Sequence, residues 1–343
     1  MNRYKPEIAL GIDIGGTNVK AGLVDAQGRL LHVVQKPLNE SWKYSEKDIK
    51  NIPSKIYEII NMFAGKGIKN RFQKIGVAIA TPITPDGLVT TVAHHRKTWQ
   101  YYDLACAMSR LFPASYSFAV DTNAAAYGEW KFGAGRGYDN LVCVFLGTGI
   151  GSGIIIDGKI LLGSKGMAGS FGHTVILADG GKKCNCGGYG CVETLCSADS
   201  IVRRAMYAIR NGSKTRISEL CENDMRKITP RLIYDAVLKG DKLAEDIFKE
   251  VGYYLGIGLL NFLTVISPEV VVLGGGIAGA GKFIVEPIRK VIRGQAFPPE
   301  SRKTKVIRAK LGIYSGVIGV AGIALNKKKE YLGRLQCQRK DYP

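Results

Sequence analysis

His173, Cys184, Cys186 and Cys191 bring one imidazole and three thiols together in the glycine-rich stretch 165–197. Three thiolates and an imidazole make a full tetrahedral set for zinc, the borderline-soft ion these ligands suit. Gly187, Gly188 and Gly190 leave the backbone free to wrap a metal in a tight knuckle. The alternative is three buried free cysteines and a satisfied core histidine. Three cysteines set among glycines pack a core poorly, which favours the metal. A closed four-ligand site is structural, so zinc here would hold a loop and not perform chemistry. Glu193 follows the last of these cysteines by two residues, so the same loop delivers a carboxylate to a fixed place. The remaining cysteines, at 106, 143, 196, 221 and 337, are scattered.

The other chemistry-bearing residues lie at the ends of strands. Ile8–Ile14 reads as a strand, followed by Gly15, Gly16, Thr17 and Asn18 and a second strand from Val19 to Val24. About 131 residues later the pattern returns: a strand ending at Leu146, then Gly147, Thr148 and Gly149, then a strand through Ile156 and a turn at Asp157 and Gly158. In both copies a glycine stands six positions after the first glycine of a Gly-Thr pair, Gly16 to Gly22 and Gly147 to Gly153. Such a repeat predicts two similarly folded halves, each opening with a glycine-turned hairpin. Tight glycine turns with free N–H groups and a threonine hydroxyl cradle phosphate, and two facing each other across a cleft would clamp it. Asp121 stands at the C-terminal end of a strand, Ser117–Val120, where α/β proteins place catalytic groups. A helix from Ala124 to Phe132 begins beside it, so an N-cap is the competing reading of Asp121. In either role the aligned N–H dipoles favour the ionised carboxylate.

The elements between these sites alternate as α/β proteins do. Ser54–Phe63 reads as an amphipathic helix and Lys74–Ala80 as a buried strand, before a Pro-rich loop and the polar stretch from His94 to Trp99. Beyond the cysteines, Ala198–Asn211 and Pro230–Ala236 look helical, and Asp241–Leu263 gives one long apolar helix or a pair. A strand, Val270–Leu273, ends in Gly274, Gly275 and Gly276, with a helix from about Lys282. A strand, triple glycine and helix can accept the flat face and ribose of a nucleotide against bare backbone. Gly316–Leu325 is a small-residue helix able to pack back on the first half.

A chain of 343 residues is long enough for two cores, and 46% apolar with 22% charged residues is the composition of a soluble globular enzyme. The first residues lack the apolar core of a signal peptide, and the CxC loop suits a reducing compartment, so a cytoplasmic location is expected, with no membrane partner. The net charge of +19 raises the question of nucleic acid. The basic residues are spread over Lys66–Lys74, Arg203–Arg216, Arg302–Lys310 and the tail Lys327–Lys340, and no single recognition helix collects them, which argues against it.

The segments GIDIGGTNVKAGLVD, VDTNAAAYGEW, FLGTGIGSGIIIDGK, GSFGH, CNCGGYGCVE and SPEVVVLGGGI are together similar to those of the ROK family of sugar kinases and transcriptional regulators, in that family's order and spacing. The resemblance covers nearly the whole chain. It implies the two-domain α/β fold of actin and hexokinase (ribonuclease H-like), with a small domain of residues 1–121 plus 312–343, a larger one of residues 122–311, and a zinc-binding loop. It implies ATP-dependent phosphorylation of a sugar hydroxyl, the 6-hydroxyl of a hexose, with ATP, Mg²⁺ and a structural Zn²⁺, in a homodimer or higher homo-oligomer. The family's repressors carry a DNA-binding domain before the first phosphate loop, and no such segment is read here.

Carried over by position, Asp13, Gly15, Gly16, Thr17 and Lys20 belong to the first phosphate and magnesium loop, and Gly147, Thr148 and Gly149 to the second. Gly274, Gly275 and Gly276 lie at the adenosine. Asp121 matches the catalytic base, with Asn123 beside it on the sugar side. His173 matches a zinc ligand that also leans on the sugar, and Glu193 a carboxylate on the ring hydroxyls. Two positions depart from the family: Ser170 stands for the usual glutamate before GH, and His95 for the usual asparagine before a tryptophan. Both departures fall on the sugar, so an amino sugar, a ketohexose or another polyol is the alternative substrate to glucose. A non-catalytic regulator, or an acetate-kinase-like relative without sugar, are the remaining readings.

Overall fold

The glycine turns after Ile14 and after Leu146 each fold a strand back on its neighbour, and each hairpin founds one sheet. A computed structural model of the chain describes residues 7–15, 18–37, 48–63, 72–90, 101–164 and 166–326. Its first elements are β1 (Ile8–Ile14), β2 (Asn18–Asp25), β3 (Leu30–Pro37), α1 (Asp48–Phe63), β4 (Lys74–Ile79), α2 (Leu104–Leu111), β5 (Ser115–Val120) and α3 (Asp121–Phe132). There follow β6 (Leu141–Leu146), β7 (Ile150–Ile156), β8 (Lys159–Ile160), α4 (Val192–Cys196), α5 (Ala198–Arg210), α6 (Arg216–Leu220), α7 (Pro230–Leu238) and α8 (Lys242–Ile266). The last are β9 (Val270–Gly274), α9 (Lys282–Gln295), β10 (Lys305–Arg308) and α10 (Ser315–Leu325). No helix among the described residues is long and apolar enough to cross a membrane.

The repeat read in the sequence is a repeat of topology. The first sheet has the order β3-β2-β1-β4-β5, with β2 antiparallel to β1 and β3, and β4 parallel to β1 and β5. The second, read from its other edge, is β8-β7-β6-β9-β10, with β7 antiparallel to β6, and β9 parallel to β6 and β10. The two hairpins differ by one residue. Ile14 pairs with Val19 across four residues, and Leu146 pairs with Ile150 across three.

The chain divides into two compact units: Met1–Arg136 with Ile160–Ala168 and Ile313–Pro343, and Gly137–Lys159 with Gly169–Gly312. The first boundary falls after α3, not before it as expected from Asp121. The reason is packing: α3 lies along α10, which also covers β1 and β4. That approach is close enough to require glycine. A Cβ at Gly11 or Gly76 would lie 2.1 Å from the carbonyl oxygen of Val317 or Val320, and one at Gly319 would lie 1.7 Å from that of Ala124. Beyond this contact the first unit's core is filled by Leu10, Ile12, Ile56, Ile60, Phe63, Leu104 and Met108, all fully buried.

In the second unit the apolar run after Asp241 is one helix, not a pair. Asp241 caps its start through Ala244 N (2.7 Å), and it ends at Ser267 in the left-handed conformation. The glycines within α8 do not break it because they are contact points: Gly252 and Gly256 lie against Pro287 and Val291 of α9, and Gly258 against Phe171.

Gly319→Ala should lower stability by about 1–3 kcal/mol or more, since the added methyl meets backbone that cannot move aside. Gly294→Ala, in α9 with nothing within 4 Å of the added Cβ, should be neutral or gain up to about 1 kcal/mol. Denaturant unfolding of both variants checks the pair. Equal stabilities would contradict the close approach of α10.

Candidate functional site

In the first unit, the parallel strands β1 and β5 and the helix α3 bring two carboxylates to one end of the sheet. Asp13 is the penultimate residue of β1, 7% exposed, and pairs across the hairpin with Lys20 of β2, whose Nζ lies 3.4 Å from Oδ2. Burial holds the Asp13 carboxyl above the usual carboxylate range, and Lys20 only partly opposes this. The side chain also rests on the start of α10: a Cβ at Gly316 would lie 2.8 Å from Oδ2. Asp121 follows β5 directly and is the first residue of α3, not its cap. Val120 occupies the cap position, and Asp121 Oδ1 accepts from Thr122 N at 2.7 Å.

The Asp121 carboxyl is pushed up to about 7, first by burial and then by the negative charge of Asp13, with the Thr122 hydrogen bond and Lys20 acting the other way. The expectation of a carboxylate held firmly ionised by helix dipoles is therefore corrected. Desolvation and a like charge outweigh one N–H, and the group sits close to half-titration at neutral pH. Asn123, two residues on, is 2% exposed, and its Oδ1 has no hydrogen-bond partner among the described residues. A buried acceptor left alone costs about 1–3 kcal/mol, which a ligand or water donor would offset.

In the second unit the elements converge on the turn between β6 and β7. Gly147 N donates to Gly149 O (3.0 Å), closing a tight loop with Thr148 exposed at its tip. Beside Gly147 there is open space: a Cβ there meets nothing nearer than 3.9 Å. The three glycines after β9 divide their work. Gly275, at φ +85°, lies against the backbone of Leu146, and a Cβ there would come within 2.2 Å of its oxygen. Gly274 fits against the Phe145 ring, and Gly276 borders open space. Only with the first two as glycine can the β9 turn reach the β6 loop. Bare backbone from both loops is thus brought together.

The cysteine stretch is attached to the same turn. Gly172 lies on the Ile150 carbonyl, where a Cβ would clash at 2.1 Å, and Gly169 O accepts from Ser152 Oγ, which fixes the segment bearing Ser170 and His173 along β7. Ser170 is exposed. Glu193, in α4, turns one oxygen to the backbone of the β6–β7 turn: Oε2 accepts from Ile150 N at 2.8 Å and fills the place of a Cβ on Gly149. Its Oε1 lies 4.0 Å from Cys184 Sγ. Ala198 N, at the start of α5, donates to Gly147 O (3.0 Å) and closes the connection from the other side.

The ligand atoms of His173, Cys184, Cys186 and Cys191 lie within 4.8 Å of one another. His173 Nδ1 is 3.6 Å from Cys184 Sγ, and Cys186 Sγ is 3.7 Å from Cys191 Sγ. With Zn–S bonds of about 2.3 Å a tetrahedron has sulfur–sulfur edges of roughly 3.8 Å, so the four donors fit that ion. The knuckle is shaped by backbone, with Cys184 N donating to Gly188 O (2.8 Å) and Gly187 N to Cys184 O (3.0 Å). Burial pushes the Cys191 thiol up to about 12, with Cys186 and Cys184 adding to the shift. The Cys186 thiol moves the other way: burial would raise it, but hydrogen bonds from Gly188 N and the neighbouring thiols hold it below its ordinary value. A bound cation would be needed to make the Cys191 sulfur a thiolate.

His95, Gly16 and Thr17 lie outside the described residues. Gly15 is described, its N donating to Asn18 O at 3.1 Å. The sequence reading missed Gly316, which touches Asp13, and the backbone donor of Ile150, which takes Glu193. The small-residue composition of α10 hinted at the first; nothing hinted at the second.

The ROK family model matches residues 9–327. The glucokinase of Halalkalibacterium halodurans is 30% identical over 314 residues, covering 90% of this chain and 92% of its own. The solved structure of a ROK family glucokinase from Streptomyces griseus, in complex with glucose and AMPPNP, is 30% identical with a TM-score of 0.79, covering 92% of this chain and 99% of that one. A ROK family transcriptional regulator, a homolog of the E. coli MLC protein, is also similar, at 25% identity and a TM-score of 0.81, over 94% of this chain and 79% of that one. The two sheets, their shared topology and the sequence match over almost the full length agree: the chain belongs to the ROK family.

Proposed function

We propose that this chain is an ATP-dependent kinase acting on a sugar hydroxyl, the 6-hydroxyl of a hexose, with Asp121 as general base. The observation that carries this reading is the Asp121 carboxyl, poised near neutrality beside Asp13 at a strand end. A proton acceptor works best with its pKa near the operating pH, and burial next to a like charge is how a carboxylate reaches that value. A regulator that only binds sugar needs no such group. Likeness to glucokinases, one of them holding glucose and AMPPNP, supports the same reading.

In the step proposed, the sugar oxygen attacks the γ-phosphorus of ATP, the bond to the bridging oxygen breaks, and ADP leaves. The hydroxyl proton passes to the Asp121 carboxylate. The loop N–H groups of 147–149, with open space beside Gly147, suit the phosphates. Asp13 would hold Mg²⁺, which supplies charge neutralisation on the β- and γ-phosphates. Glu193 and His173 are proposed at the sugar. For Glu193 this asks its carboxylate to share or exchange the Ile150 N–H for ring hydroxyls. Ser170, where the family has a carboxylate, offers only a short neutral hydroxyl, which favours a hexose substituted differently from glucose.

ADP release measured over hexoses, ketohexoses, amino sugars, N-acetylated sugars and inositols tests the reading, with Asp121→Asn in parallel. We expect turnover on at least one sugar, with glucose not the best, and kcat/KM rising with pH as Asp121 ionises, since only the ionised base accepts a proton. Asp121→Asn should remain folded and lose roughly 10²–10⁴-fold in kcat. No turnover on any sugar, or an Asp121→Asn enzyme keeping more than about a tenth of normal turnover, would sink the proposal.

The four-donor cluster is proposed to hold one structural zinc per chain, fixing α4 and so Glu193. Metal analysis of reduced protein should find one zinc, and chelation or Cys186→Ser should lower the melting temperature. A zinc-free protein, or one that melts higher after chelation, would count against it.

A further inference from the structure

Between α9 and β10 lies a cavity of about 370 Å³ whose lining includes five cationic side chains, Arg289, Arg293, Arg302, Lys303 and Lys305, and not one carboxylate. Two of these are fixed by the protein. Arg289 donates to Val306 O (2.7 Å) and pairs with Glu286 (2.6 Å), and Arg302 Nε donates to Ala296 O (3.2 Å). Lys305 is engaged too, its Nζ donating to the Tyr138 hydroxyl oxygen (3.4 Å). Arg293 and Lys303 have neither an ion pair nor a hydrogen bond among the described residues, and Ile292 and Val306 form an apolar floor. Five cations answered by one carboxylate repel one another, and the arrangement leaves about four positive charges for a ligand to balance.

The cavity is separate from the glycine loops of the same unit. Lys305 pairs with Val270 at the start of β9, while Gly274 to Gly276 follow its far end. The lining extends along β10 to Ile307, which pairs with Val272, so its nearest point is two strand residues, roughly 7 Å, short of Gly274. Nothing in the proposed phosphotransfer uses this end of the sheet. The volume is that of a small-molecule site. Arginine and lysine residues gathered around an apolar floor, with Thr304 also in the lining, can offer guanidinium and ammonium groups to phosphate oxygens.

We propose that this cavity is a second anion site, for a small molecule carrying two phosphate groups, distinct from the nucleotide loops. It gives a role to Arg302, Lys303 and Lys305, which are exposed to solvent and line the cavity together.

Calorimetric titration of the full chain with inorganic pyrophosphate and with a sugar bisphosphate, at 150 mM salt, tests it. The comparison is with Arg293→Gln/Lys303→Gln and with Lys214→Gln/Lys239→Gln, which removes the same charge at two exposed lysines on neither element that lines the cavity. We expect saturable binding of one anion per chain at this site, weakened at least tenfold in the first variant and unchanged in the second. Binding unchanged in Arg293→Gln/Lys303→Gln, weakened equally in both variants, or absent would overturn it. So would a single-stranded or duplex DNA that binds this face while neither small anion does.

Discussion

The first unit depends on how closely α10 can approach the sheet. Gly11, Gly76 and Gly319 let helix backbone meet strand and helix backbone at distances that no side chain would permit. Because α10 is seated so deep, its first turn closes over Asp13 and takes that carboxylate out of water. A buried Asp13 then acts on Asp121 through poorly screened space and raises its carboxyl further than burial alone. One packing constraint, written in glycines of β1, β4 and α10, sets the electrostatics of both.

The second unit solves a different problem with the same hairpin. Its three-residue turn gives up the first hairpin's spacing and is held from several sides: by Gly275 against Leu146, by Ala198 N on Gly147 O, and by Glu193 on Ile150 N. The cysteine knuckle reaches that turn through α4, whose first residue follows Cys191. A metal at the four donors and a ligand at the glycine loops would therefore share one short helix. Loss of the first would disturb the second without any direct contact between them.

Much of this was legible in the sequence, because hairpins, glycine turns and ligand spacing are local. The strands around both Gly-Thr pairs, the single strand before the triple glycine and the convergence of His173 with three cysteines all follow from residues close in the chain. The rest depends on burial, which no local pattern carries. Asp121 reads as an ionised group at a helix start, and only its desolvation beside Asp13 moves it to about 7. The helix α3 begins at Asp121 and not at Ala124, and it belongs with the first unit because α10, remote in sequence, packs along it. The basic run Arg302–Lys310 reads as surface and its charged residues are exposed; that three of them line one cavity with two arginines of α9 is something no local pattern carries.

The account rests on Asp121 being held near neutrality by Asp13 and by its own burial. Selective ¹³C labelling of aspartate carboxyls, followed by NMR titration of the free protein and of Asp13→Asn, measures this directly. The account predicts an Asp121 midpoint near 7 in the unmodified chain, moved clearly downward when the Asp13 charge is removed. A midpoint near the ordinary value of 3.8 in both proteins would contradict it.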